Sequence, residues 1–222
     1  MKRLILAGGM VLLMSGGAFA STLFTYYTTA TASAVALGFT LDQEVIFQFQ
    51  VFGTNTADEA DSNQVIWNGT LSDPLWESVS MGSTTGTAGF ADPGNIVEVY
   101  GIGGTITNMH NKVSPSVTFQ TPNNERVVYI EVYAANIVNF ATAPVGTTID
   151  DYFLNYEGDY TPTALTEVLT RADTDGRFRV TKLNIDVVPE PSTYLLLALG
   201  GAFLLWTNKR LRKQLLPQLG RE

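Results

Sequence analysis

The 222-residue sequence contains no cysteine and a single histidine, His110. The first absence excludes disulfides, zinc–thiolate centres, iron–sulfur clusters and cysteine nucleophiles. The second excludes metal sites built from several imidazoles. Basic residues are also scarce in the middle of the chain. Between residues 21 and 188, six Lys and Arg stand against nineteen Asp and Glu, a balance of −13. A surface this acidic repels phosphate backbones, so nucleic acid is not an expected partner. The same charge favours solubility and attracts cations.

Two dense apolar blocks are present, residues 4–14 and 194–206, one near each end. The first follows the basic start Met1-Lys2-Arg3 and is followed by Ala18-Phe19-Ala20. A basic n-region, a short apolar run and small residues at Ala18 and Ala20 make a cleavable signal peptide, residues 1–20, read by signal peptidase. The run is too short for a comfortable membrane span. The mature chain is expected to start at Ser21.

The C-terminal block has three parts. Pro189-Glu190-Pro191-Ser192 comes first. Two prolines around one residue enforce an extended segment that a hydrolase can hold. An apolar helix over residues 194–207 follows; its ~15 residues span about 22 Å, short of a typical 30 Å hydrocarbon core. The basic cluster Lys209, Arg210, Arg212 and Lys213 then acts as a stop-transfer that stays cytoplasmic. Residues 214–222 form a cytoplasmic tail. This order resembles the PEP-CTERM sorting signal of Gram-negative bacteria that make exopolysaccharide. The resemblance covers residues 189–213 and none of the central domain. Trp206-Thr207-Asn208 before the basic cluster, and the tail after it, depart from the pattern without breaking its logic. The resemblance implies processing near the motif by a membrane-embedded exosortase, then delivery to the cell surface or an exopolysaccharide matrix. The alternative is a plain single-pass anchor.

The two signals agree in topology. Bases at both ends hold both termini inside, so residues 21–188 lie across the membrane. This segment is expected to be mainly β, an antiparallel β-sandwich or jelly roll with one short helix. Residues 45–52 alternate, with Val45, Phe47, Phe49 and Val51 on one face. Other expected strands are 64–71, 96–102, 116–120, 127–134, 148–156 and 177–188. The helix is expected over residues 161–172, with Thr161 as cap, Pro162 in the first turn, and Leu165, Val168, Leu169 and Ala172 at helical spacing. Residues 78–95, rich in Ser, Thr and Gly, read as a long loop.

No motif for chemistry stands out. His110 sits in a polar, turn-like stretch and reads as an exposed loop histidine. Gly82-Ser83-Thr84-Thr85-Gly86 has the wrong spacing for a nucleophile elbow. Gly101-Ile102-Gly103-Gly104 lacks the third glycine of a nucleotide loop and reads as a strand-end turn. Asp173 and Asp175, before Gly176, are weak candidates for calcium, but the twelfth loop position is Asn184 rather than Glu. Asp58-Glu59-Ala60-Asp61 and Asp150-Asp151 read as solvated loops. Trp67, Trp76, Tyr26, Tyr27 and Tyr152 are candidates for stacking on sugar rings, although aromatics in a sandwich are more often core.

The expectation is an exported structural protein of the envelope or exopolysaccharide matrix, not an enzyme and with no cofactor. The alternative is a carbohydrate-binding module, calcium-assisted or not, or else a polysaccharide hydrolase. An exposed aromatic row, a cleft with converging carboxylates, or a sealed core would favour binding, hydrolysis and structure respectively.

Overall fold

The computed structural model describes residues 20–69, 75–82, 84–86, 95–102, 104–113, 119–127, 129–163, 166–171 and 175–188. The expected signal peptide apart from Ala20, and everything from Pro189 on, lie outside the described residues. Ala20–Val188 is one compact unit. Among the described residues no helix is long and apolar enough to cross a membrane.

The chain runs β1 (Ser21–Ala30), α1 (Ala32–Ala36), β2 (Glu44–Phe52), β3 (Glu59–Ala60), β4 (Gln64–Asn68), β5 (Trp76–Met81) and β6 (Thr84–Gly86). It continues with β7 (Ile96–Ile102), β8 (Thr105–Val113), β9 (Phe119–Gln120), β10 (Arg126–Val127) and β11 (Tyr129–Phe140). Last come α2 (Ile149–Phe153) with a 3-10 turn (Leu154–Tyr156), β12 (Gly158–Tyr160), β13 (Glu167–Arg171) and β14 (Asp175–Val188). Twelve strands form one sheet in the order β3-β4-β7-β8-β11-β13-β14-β1-β2-β5-β6, with β12 beside β14; β9 and β10 form a separate pair. The mainly β, antiparallel expectation is met by one sheet that curls over itself.

The curl is visible in contacts between strands far apart in that order. Buried Asn111 on β8 donates to the Tyr26 hydroxyl on β1 at 2.8 Å, and the Trp76 indole on β5 donates to the Lys112 carbonyl on β8 at 2.9 Å. Tyr26, Phe49 and Trp76 pack edge-on or tilted between the two halves, each step 5.6 Å between centroids. The core is sealed by Trp67, Trp76, Tyr26, Phe24, Phe47, Phe49, Phe153 and Phe178, all fully buried.

Alternation explains most strand faces. On β2, Val45, Phe47, Phe49 and Val51 are buried, the face read from sequence. On β14 the phase switches: Phe178 and Val180 face inward, then Leu183 and Ile185. The register slips there, Tyr27 opposing Lys182 while Thr28 opposes Val180. The extra residue, Thr181, is a β-bulge that turns the alternation over while β1 keeps its own.

Three sequence expectations are corrected. Residues 148–156 are helical rather than a strand. Thr148 caps α2 by accepting from the Asp151 amide at 3.2 Å, and Ile149, Tyr152 and Phe153 fall at i, i+3, i+4 on its buried face. Phe153 packs on Phe24 (4.9 Å) and Tyr152 on Trp67 (5.1 Å), closing one part of the core. The helix expected over 161–172 is replaced by β13, which fills the space between β11 and β14 and pairs with both. Val168 and Thr170 are buried at strand spacing; Leu165 and Ala172 lie outside the described residues. Residues 78–95 are not one loop, because β5 extends β2 and β6 extends β5. Of the other expected strands, 64–71 is described as β4 over Gln64–Asn68, with residues 70 and 71 outside the described residues. In 127–134 Val127 belongs to β10 while Tyr129 opens β11, which continues to Phe140; of 116–120 Phe119 and Gln120 are described, in β9.

The Gly101 to Gly104 stretch ends β7 and turns into β8, as expected. A Cβ on Gly101 would overlap the Thr105 carbonyl group across this hairpin, and Gly104 has φ +82°. The clash is with backbone, which cannot swing aside. Gly101→Ala is therefore expected to destabilise the 20–188 domain by about 2 kcal/mol. Urea denaturation followed by circular dichroism would show it as a lower midpoint with the β spectrum retained.

Candidate functional site

A polar cluster lies on the outer face of β7, β8 and β11. On β8, Met109, Asn111 and Val113 point into the core, so Asn108, His110 and Lys112 point out. Register places Glu98 of β7 and Tyr133 of β11 on either side of His110, and Glu131 opposite Lys112. His110 is thus a mid-strand residue, not an exposed loop histidine. Its side chain is only 12% exposed. Tyr133 covers it, stacked at 4.4 Å and 7° between ring planes.

The imidazole is held at both nitrogens. Nε2 lies 2.8 Å from Glu131 Oε1 and Nδ1 lies 3.4 Å from Glu98 Oε2. A neutral imidazole has one N–H; only the protonated ring donates to both carboxylates. Glu131 also accepts from the Tyr129 hydroxyl at 2.9 Å and the Tyr133 hydroxyl at 2.7 Å. Burial pushes the Glu131 carboxyl up, but the hydrogen bonds from Tyr133, Tyr129 and His110, with the His110 charge, outweigh it and hold it below its ordinary value. Burial and the bond to Glu131 push the Tyr133 phenol well up, so it stays a donor. Lys112 lies over the Tyr129 ring, 5.4 Å from its centroid. Both Glu131 oxygens and both His110 ring nitrogens are therefore engaged within the cluster. Its hydrogen bonds make it a lock joining three strands.

The other sequence candidates take structural places. Tyr26, Trp67, Trp76 and Tyr152 are buried, while Tyr27 is 36% exposed and lies under Lys182. Asp58 accepts from the Asn68 amide, and Asp61 caps its own turn by accepting from the Asn63 and Gln64 amides. Asp150 accepts from the Thr22 hydroxyl at 2.7 Å, and Asp151 lies with it in the first turn of α2. Asp175 opens β14 opposite Arg171, and Asp173 lies outside the described residues. Among the described residues no group of three or more His, Asp or Glu is placed to hold a metal. The cluster around His110 went unread because Asn108-Met109-His110-Asn111 carries turn-forming residues. The available signal was the alternation of Met109 and Val113 with the polar residues between.

The ends of the domain form the second candidate. Ser21 opposes Val188 on one side and Phe52 on the other, so the first and last residues of the sheet are neighbours. Immediately beyond, the chain carries the processing residues expected from sequence. Residues 187–210 match the model of the PEP-CTERM protein-sorting motif. The chain is thus an exported, exosortase-sorted protein with a transient membrane attachment. The motif covers a small part of the chain and assigns no activity to the domain. The comparison with curated proteins returned no match, and neither did the comparison with solved structures. Pro189, Glu190, Pro191, Ser192, Lys209, Arg210, Arg212 and Lys213 all fall beyond the described residues.

The carboxylate lock carries a pH signature. Because the folded Glu131 carboxyl lies below its ordinary 4.5, the stability it supplies is present above that pH and is lost as pH falls through the folded value. Glu131→Gln should cost about 1–3 kcal/mol at pH 7, leaving donors without a charged acceptor. Thermal melts of both proteins from pH 7 downward are expected to show the gap shrinking as pH falls below 4.5, whereas a gap that widens toward acid would contradict the assignment.

Proposed function

We propose that the mature domain is a structural component of the cell envelope or exopolysaccharide matrix, delivered there by its PEP-CTERM motif. The observation that carries this reading is a sealed aromatic core beneath a polar cluster that satisfies itself. Four of the five aromatics considered for sugar stacking are buried. Glu98 and Glu131, two carboxylates that converge, both turn toward His110 rather than toward an open position. Hydrolysis needs two carboxyls free to act on either side of a bond. Incubating the mature protein with polysaccharide from producing cells should generate no new reducing ends. Reducing ends that disappear with Glu131→Gln would replace this reading by an enzymatic one.

A second reading, carbohydrate binding, has one observation in its favour. Tyr133 is 47% exposed, one ring face is stacked on His110, and its hydroxyl is fixed on Glu131. That leaves an oriented aromatic surface on an acidic sheet, suited to an uncharged sugar ring. Affinity electrophoresis in neutral polysaccharide would test it: retardation lost in Tyr133→Ala but kept in Tyr27→Ala supports binding.

For the sorting step, we assign processing to Pro189, Glu190 and Pro191, and retention of the precursor to Lys209, Arg210, Arg212 and Lys213. Crossing the membrane costs each such charge at least about 2.5 kcal/mol. Pro189→Ala with Pro191→Ala is expected to leave an unprocessed, membrane-retained precursor in a host with an exosortase. Blots of membrane and medium fractions read the outcome, and release at the normal level would mean a plain anchor.

A further inference from the structure

The bond expected to release the leader, Ala20–Ser21, lies at the entry to the folded sheet: Ala20 is half-buried just ahead of β1, and Ser21 is the first residue of that strand. The Ala20 carbonyl accepts from the Gly53 amide at 3.0 Å. Ser21 is 3% exposed and Thr22 is fully buried. Gln50 Nε2 donates to Ser21 Oγ at 3.1 Å, and Thr22 Oγ1 donates to Asp150. β1 is an interior strand: Ser21 to Thr29 pair with β2, and Ser21 to Ala30 pair with β14. Proteases and other strand-reading partners take an extended segment by its backbone edge. Here both edges of the segment after the scissile bond are occupied.

We infer that leader removal and folding are strictly ordered: signal peptidase must cut before β1 closes between β2 and β14, and the closed domain masks the bond. The inference rests on the export reading and adds a sequence of events to it. Hydrolysis adds water across the Ala20–Ser21 amide, leaving a carboxylate on Ala20 and an ammonium on Ser21. The bond from Gly53 to the departing carbonyl is given up, while the pairings of Ser21 remain available to the mature chain.

The topology supplies the time window. The residue facing Ser21 across one edge is Val188, the last of β14. β1 therefore cannot complete its pairing until the end of the domain has emerged. The leader bond stays open throughout translocation and closes only when the sorting motif, whose match begins at residue 187, has followed. That motif overlaps the last two residues of β14, so no spacer separates sheet from motif. The second processing enzyme accordingly meets a finished domain, and the first meets an open chain.

The test uses the full-length precursor in detergent with purified signal peptidase. One sample is folded, and one is unfolded in urea and diluted into the assay at once. A third protein carries a six-residue Gly-Ser insert between Ala20 and Ser21, which moves the bond away from the sheet. The products are identified by mass. The unfolded chain is expected to be cut after Ala20. The folded wild type should be cut at least about tenfold more slowly, because cutting must wait for local opening. The folded insert variant should be cut at nearly the unfolded rate. Equal rates for folded and unfolded wild type would overturn the ordering and leave the export reading intact. An unfolded precursor that is not cut after Ala20 would overturn the leader assignment, and the ordering with it.

Discussion

The pairing of the first strand with the last holds this domain together. Ten residues of β1 run antiparallel to β14 from Ser21–Val188 to Ala30–Phe178. This pair sits in the interior of the sheet, with β2, β5 and β6 on one side and β13, β11, β8, β7, β4 and β3 on the other. Without it the strands would fall into two partial sheets, each with a raw edge open to other chains. With it they form one surface long enough to curl over its own aromatic face. The pair also has the largest loop to close, so it is entropically the latest contact the chain can make.

The curl sets where polar groups can go. Inside, strands from the opposite half supply a hydroxyl to the Asn111 amide nitrogen and a carbonyl to the Trp76 indole, while Asn111 Oδ1 is buried without a hydrogen-bond partner among the described residues. Outside, the shallow space over β7, β8 and β11 takes a charged cluster that is mostly shielded from water. A carboxylate only 10% exposed is costly unless it is filled, and Glu131 is filled by two phenols and an imidazole.

Much of the strand content was legible locally. Residues 45–52 and 183–187 alternate over enough positions for the period to be unambiguous, and they fold as read. The failures share a cause. The short segments 148–156 and 161–172, nine and twelve residues long, satisfy both periods, and composition cannot choose between them. Val168 and Leu169 fit a helix face as well as Val168 and Thr170 fit a strand face. The choice was made by β11 and β14, which offer backbone partners on both sides of β13. At 148–156 the cap at Thr148 and the packing of Phe153 on Phe24 decided for the helix. His110 was misplaced for a related reason: its partners Glu98 and Glu131 are 12 and 21 residues away in sequence.

The sequence alone determined the address of this protein. The Pro-Glu-Pro motif, its apolar run and its basic end act through local properties, namely fixed φ, hydropathy and charge, which need no tertiary partner to be read. It also determined the absence of thiol chemistry and the acidity of the middle of the chain. The tertiary structure decided which aromatics are core, which histidine environment exists, and that Ser21 opens an interior strand. Each of these depends on residues far apart in the chain meeting across a curled sheet, and no local window of sequence contains both partners.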